Sequence, residues 1–148
     1  MSPARNGGAV GPIQMHADGS AGDAVLAGHD DRVIRMQGQD TFRAAVDRLA
    51  AATRAAAEGA GVALEDIAAF AYHQANARIL AAVAEKLGLD DDRVIDCIDR
   101  YGNTSSATLP IAMADARERG MLEPGMNVVL AAFGAGFTWG AGVIQWGA

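Results

Sequence analysis

The hydrophobic and polar positions divide the chain into segments of two periods. From Gln39 to about Glu58 apolar side chains recur at steps of three and four: Phe42, Val46 and Leu49, joined by Ala45, Ala52 and Ala56. That spacing places them on one face of an amphipathic helix. Arg43 and Asp47 lie four apart on the other side, and Gly59 and Gly61 end the element. A second helix is expected from about Asn76 to Leu87, with Ile79, Leu80, Val83 and Leu87 inward and Gly88 as its stop. A third runs to Gly120. Thr104, Ser105 and Ser106 each offer it an N-cap, and Pro110 has to fall in or near its first turn, since deeper it would break the hydrogen-bond ladder.

The remaining apolar runs are short. IAAFAY, Ile67 to Tyr72, suits a buried strand, and Ala9 to His16 and RVIRM suit two more. ADGSAGDAVLAGHDD reads as a surface loop rich in Gly and Asp, while RVIDCI fits a strand or a short helix. NVVLAAFGAGFTWGAGVIQW reads as two strands joined by the bend Gly134–Ala135–Gly136. Strands alternating with helices, then a closing strand pair, predict an α/β layered domain with packed helices on a mixed sheet. The first eight residues read as an N-terminal segment ahead of a domain over residues 9–148.

Composition narrows the function classes. A length of 148 residues is one domain's worth of core. The 51% hydrophobic content is largely alanine, which suits helices lying close on a sheet, and 18 glycines point to close backbone approach. A net charge of −6 without a basic stripe argues against nucleic acid. The single cysteine excludes an internal disulfide framework and a multi-cysteine zinc site, as in a reducing cytosol, and the three histidines lack clustered ligand spacing, so no metal is expected. No secretory leader or membrane span is legible, and a cytoplasmic protein is expected.

His73 and Asn103 share a setting that the other polar residues lack. His73 follows the run IAAFAY and precedes a helix, with the amides of Gln74 and Asn76 directly behind it; Asn103 follows DRYG and precedes another helix. Alone, such a histidine is an ordinary half-buried residue at a strand end. Strand-to-helix loops gather at one edge of an α/β sheet, however, where an imidazole and a carboxamide can donate to one oxygen and stabilise an enolate without a metal. A dry pocket would keep that imidazole neutral. No nucleophile-elbow pentapeptide surrounds any serine. His16 and His29 sit in loop-like surroundings without ligand-spaced partners.

HQAN, then DRYGNTSSATLPIA about thirty residues on, then FGAGFTWGA, preceded by MHADG and MQGQDTFRAAV, resemble the C-terminal half of β-ketoacyl-acyl-carrier-protein synthase III, a thiolase-fold condensing enzyme of fatty-acid synthesis. The motifs follow the family's order from about Gly8 onward. The resemblance implies that His73 and Asn103 hold the malonyl thioester oxygen as carbon dioxide leaves, and that the carbanion attacks an acyl group. It implies that Asn76 contacts the pantetheine arm, that Gly38 and Phe42 line the coenzyme A channel, and that the N–H of Ala135, where the family usually has glycine, completes an oxyanion hole. Arg78, with Arg43 and Lys86 nearby, would dock an acyl carrier protein.

Coenzyme A and phosphopantetheine thioesters would be substrates, with no tightly bound cofactor. The family's nucleophilic cysteine lies in a first half that these residues do not include. Cys97 stands between Asp96 and Asp99, whose charge would raise its pKa, so it reads as a core or strand residue. The resemblance therefore implies a piece of a longer enzyme, or a chain completed by a partner that supplies the cysteine; a dimer is expected. The alternatives are a non-catalytic pantetheine-binding or scaffold module, or half of a secondary-metabolite condensing enzyme. A half of this fold alone should also expose a sizeable apolar patch.

Overall fold

The computed structural model describes residues 2–3, 7–27, 29–30 and 32–147. Parts of two expectations, the N-terminal segment over residues 1–8 and the loop over residues 17–31, lie outside the described residues. Among the described residues seven strands and four helices follow one another as β1 (Ser2–Pro3), β2 (Ala9–Ala17), β3 (Val25–Ala27), β4 (Ile34–Met36), α1 (Gly38–Ala60), β5 (Ile67–Tyr72), α2 (Ala77–Leu87), α3 (Ile98–Tyr101), α4 (Thr108–Glu118), β6 (Asn127–Gly134) and β7 (Thr138–Gln145). Short 3-10 turns fill several connections.

The main sheet has the order β1-β2-β7-β6-β5, with β5 parallel to β6 and the other pairs antiparallel. It is a mixed sheet, as the alternation of elements predicts. Alternation along each strand assigns the faces. Val129, Ala131 and Phe133 of β6 and Ala141 and Val143 of β7 join Ala45, Leu49, Ala52 and Ala56 of α1 in one core. The alanines let α1 lie close across β2, β6 and β7, and α2 packs beside it through Leu80 and Val83. On the opposite face α4 covers only the β5 side, where Ala112 and Ala116 meet Ala69, Ala71 and Val128.

Three local expectations need correcting. Val25–Ala27 is a strand paired with β4, and a 3-10 turn over Gly19–Ala24 precedes it; paired β-prone Val25 and Leu26 override the glycine-rich context. RVIDCI is neither one strand nor one helix: Arg93 closes a 3-10 turn, Val94 bridges Phe70 once, residues 95–97 are irregular as the chain leaves the sheet, and Ile98 opens α3. The N-cap of α4 is Ala107, with no side-chain cap, because a 3-10 turn over Ser105–Ala107 leads directly into the helix; Pro110 does fall in its first turn. At the other end, Ser2 and Pro3 pair with Val10 and Ala9, which makes them the sheet's edge.

Candidate active site

The β5 strand ends at Tyr72, and the N–H of His73 donates to the Ala131 carbonyl at 2.9 Å, adding one more rung against β6. His73 is half-buried and lines an open groove of about 890 Å³ on the sheet face that α4 leaves uncovered. Leu130 and Ala132 of β6, Gly140 and Gly142 of β7, and Ile13 and Met15 of β2 form much of its floor. The imidazole Nδ1 is buried and has no hydrogen-bond partner among the described residues. Burial holds the pKa of His73 below the ordinary histidine value, so the ring is neutral near pH 7 and carries one N–H donor.

Asn103 lies two residues before Ser105, which lines the groove with His73. Helix α3 stops at Gly102, whose φ of 65° is open to glycine, and Asn103 follows on an exposed loop. Its Oδ1 accepts the Ser105 N–H at 2.9 Å, which leaves Nδ2 as the donor the side chain offers to a ligand. Ser105 and Ser106 line the groove beside His73. The loop is anchored from below: Asp115 of α4 is 2% exposed and ion-paired with both Arg100 and Arg119, and Arg100 lies three residues before Asn103.

Of the expected site residues, His73 alone lines the groove; Asn103, Ala135, Asn76, Gly38, Phe42 and Arg78 lie outside its wall. Asn76 caps α2, its Oδ1 accepting the Arg78 N–H at 3.0 Å. Gly38 opens α1, and Phe42 is half-buried in its first turns. Ala135 is exposed in the turn between β6 and β7, where its carbonyl accepts from the Thr138 hydroxyl at 3.0 Å. Arg78 is exposed, whereas Lys86 is ion-paired with Asp47 of α1. His16, the last residue of the strand expected over Ala9 to His16, is on β2, which replaces its loop-like reading, and it stacks on Trp139 with ring centroids 5.4 Å apart. The groove floor went unread in the sequence, although the alternation in IQMHA and TWGAG carried its signal.

Matching against family models identifies residues 57–146, more than half of the chain, as 3-oxoacyl-[acyl-carrier-protein (ACP)] synthase III C terminal. The chain belongs to this family. It is 42% identical over 130 residues to a β-ketoacyl-[acyl-carrier-protein] synthase III from Nitratidesulfovibrio vulgaris, covering 88% of this chain and 38% of that protein. A synthase III from Oleidesulfovibrio alaskensis is 39% identical over 141 residues, covering 93% of this chain and 43% of that protein. Among solved structures, the synthase III of Thermus thermophilus superposes with a TM-score of 0.90 at 37% identity, covering 97% of this chain and 47% of that one. The synthase III of Aquifex aeolicus gives 0.92 at 34% identity, covering 98% and 47%. The chain thus spans less than half the length of these relatives.

As a synthase III C-terminal region, the chain has half of a thiolase-like fold. Cys97 is 1% exposed in the core beneath α4. Its thiol is pushed up chiefly by burial and then by the charge of Asp115, with Asp96 and Asp99 adding less. The direction follows the sequence reading, but the leading cause is burial. Such a thiol is a packing residue. Among the described residues no helix is long and apolar enough to cross a membrane.

Proposed function

We propose that this chain supplies the malonyl-activating half of a β-ketoacyl-acyl-carrier-protein synthase III active site. The observation that carries the reading is a neutral imidazole set in the wall of an apolar groove at a strand end. A malonyl thioester, carried on phosphopantetheine, would lay its carbonyl oxygen between a His73 N–H and Asn103 Nδ2. The bond from the α-carbon to the carboxylate breaks, carbon dioxide leaves, and the electron pair moves onto that oxygen. Two donors in a dry site stabilise the enolate where water would have to reorganise. The α-carbon then attacks the carbonyl of an acyl thioester, whose oxyanion the Ala135 N–H would receive. Collapse expels the thiolate and releases the β-ketoacyl thioester.

Buried Cys97 does not fit the acylated nucleophile. That cysteine comes from outside these residues, in the same longer polypeptide or in a partner chain. The open sheet face, with Met15 83% and Ile13 66% exposed, is where the cysteine-bearing half would pack. Gly38, Phe42 and Asn76 would line the channel for coenzyme A or pantetheine, and Arg78 would meet an acidic carrier protein as a local positive point on a chain of net charge −6.

The test is His73→Ala in the enzyme assembled with a cysteine-bearing half. Malonyl thioester decarboxylation should fall by about two to three orders of magnitude, the range for losing one preorganised oxyanion donor, while the unfolding midpoint stays close to that of the parent. Unchanged decarboxylation would overturn the catalytic reading and leave a pantetheine-binding scaffold in its place.

A further inference from the structure

The β5 strand and the segment that carries the chain toward Asn103 begin as neighbours. Ile95 N–H donates to the Phe70 carbonyl at 3.0 Å, and Val94 bridges Phe70. Beyond Ile95 the two segments diverge, one into the His73 loop and the other into α3. At the point of divergence the side chain of Gln74, 2% exposed, takes over from the backbone. Its Nε2 donates to the carbonyls of Tyr72 and Ile95, both at 2.9 Å, and its Oε1 accepts the Cys97 N–H at 2.9 Å. A carboxamide is chemically a peptide group, and here it forms the next rung of a ladder whose backbone has already parted. The N–H of Gln74 donates to Thr108 Oγ1 at 2.8 Å, at the first residue of α4.

We propose that Gln74 is a positioning residue that locks the His73 loop, the Ile95–Cys97 segment and the start of α4 into one unit, and so fixes the separation of the His73 and Asn103 donors. This rests on the reading of those two groups as the enolate-stabilising pair. Both donor hydrogens and the oxygen of the amide are engaged, so an aliphatic side chain of similar length would leave the Ile95 carbonyl and the Cys97 N–H facing an apolar group. Glutamate would set an acceptor against two carbonyls, and asparagine is one methylene short of spanning the gap.

The deciding variant is Gln74→Met. In the labelled 148-residue chain, NMR should show the His73 ring and the Asn103 side-chain amide both displaced from their parent shifts and broadened, while methyls of the α1 core hold theirs. In the enzyme assembled with a cysteine-bearing half, kcat for malonyl decarboxylation should fall by one to two orders of magnitude, since displacement by about 1 Å can cost on the order of 10²-fold. KM should stay within about twofold, because the thioester arm binds elsewhere, and the acid limb of the pH profile should move up as the imidazole gains water. A folded variant in which His73 or Asn103 keeps its parent signals, or in which kcat is unchanged, overturns the proposal.

If Gln74→Met does not fold, Thr108→Val, which removes the acceptor of the Gln74 N–H at nearly constant volume, is judged by the same signals and the same split. Failure of the underlying reading looks different. There His73→Ala leaves decarboxylation intact, whereas failure of this inference leaves His73→Ala inactive and Gln74→Met active.

Discussion

His73 owes its protonation state to where the strand ends. Burial without a charged partner disfavours the imidazolium, and its cause is legible only once the groove wall is built. The consequence for stability has a definite sign. Between the lowered folded pKa and the ordinary value of about 6.5, the unfolded chain binds a proton that the folded chain refuses, so stability falls as pH drops through that window and levels off below it. Urea midpoints should decline over that range in the parent and decline less in His73→Gln, which cannot titrate. An NMR titration should place the His73 midpoint below about 6.5; a midpoint at or above it would contradict the dry-wall account. Asn103 was singled out by its residue type, but the bond from the Ser105 N–H that occupies its Oδ1 belongs to the folded loop.

At the level of elements, the helices followed their periodicity and the strand pairing did not. The α1 and α2 helices end at Gly61 and Gly88, both with positive φ, as their spacing predicts. In β2 a bulge between Val10 and Ile13 sets two residues, Gly11 and Pro12, against one of β7, Val143, which breaks the simple alternation. The glycines opposite it set how closely the two strands approach. A Cβ on Gly140 would stand 2.7 Å from the Gln14 carbonyl oxygen, a backbone atom; one on Gly142 would meet the Ile13 Cγ1 at 3.2 Å, a side chain able to turn. Gly140→Ala should therefore cost about 1–3 kcal/mol by forced displacement, and Gly142→Ala clearly less. Urea unfolding of the two variants checks this, with faster amide exchange at Met15 and His16 expected in the first. Equal costs would show that β2 moves freely.

The whole molecule presents two unlike sheet faces. One is closed by α1 and α2, the other is covered by α4 only beside β5. Exposed Val10, Ile13 and Met15 therefore form a patch that a monomeric domain rarely leaves in water. The expected apolar patch is present, and its side chains line the groove of His73. The chain alone should self-associate or bind an apolar dye. Ile13→Glu combined with Met15→Glu should abolish both while leaving the circular dichroism unchanged, because neither side chain is in the core. Light scattering and dye fluorescence decide it: a dispersed parent monomer without dye binding would contradict an unpartnered face.

Local patterns in the sequence determined α1, α2 and the body of α4, the β5 strand, the closing β6–β7 pair, and the His73 and Asn103 types with their motif spacing, because each is set by neighbours a few positions apart. Tertiary structure alone decided which sheet face stays open, that the amide of Gln74 replaces a backbone rung, and that burial rather than the neighbouring aspartates is the leading cause of the raised Cys97 pKa. Those outcomes depend on burial and on partners twenty or more positions away, such as the Gln74–Cys97 bond across 23 residues. No local period in the chain encodes them.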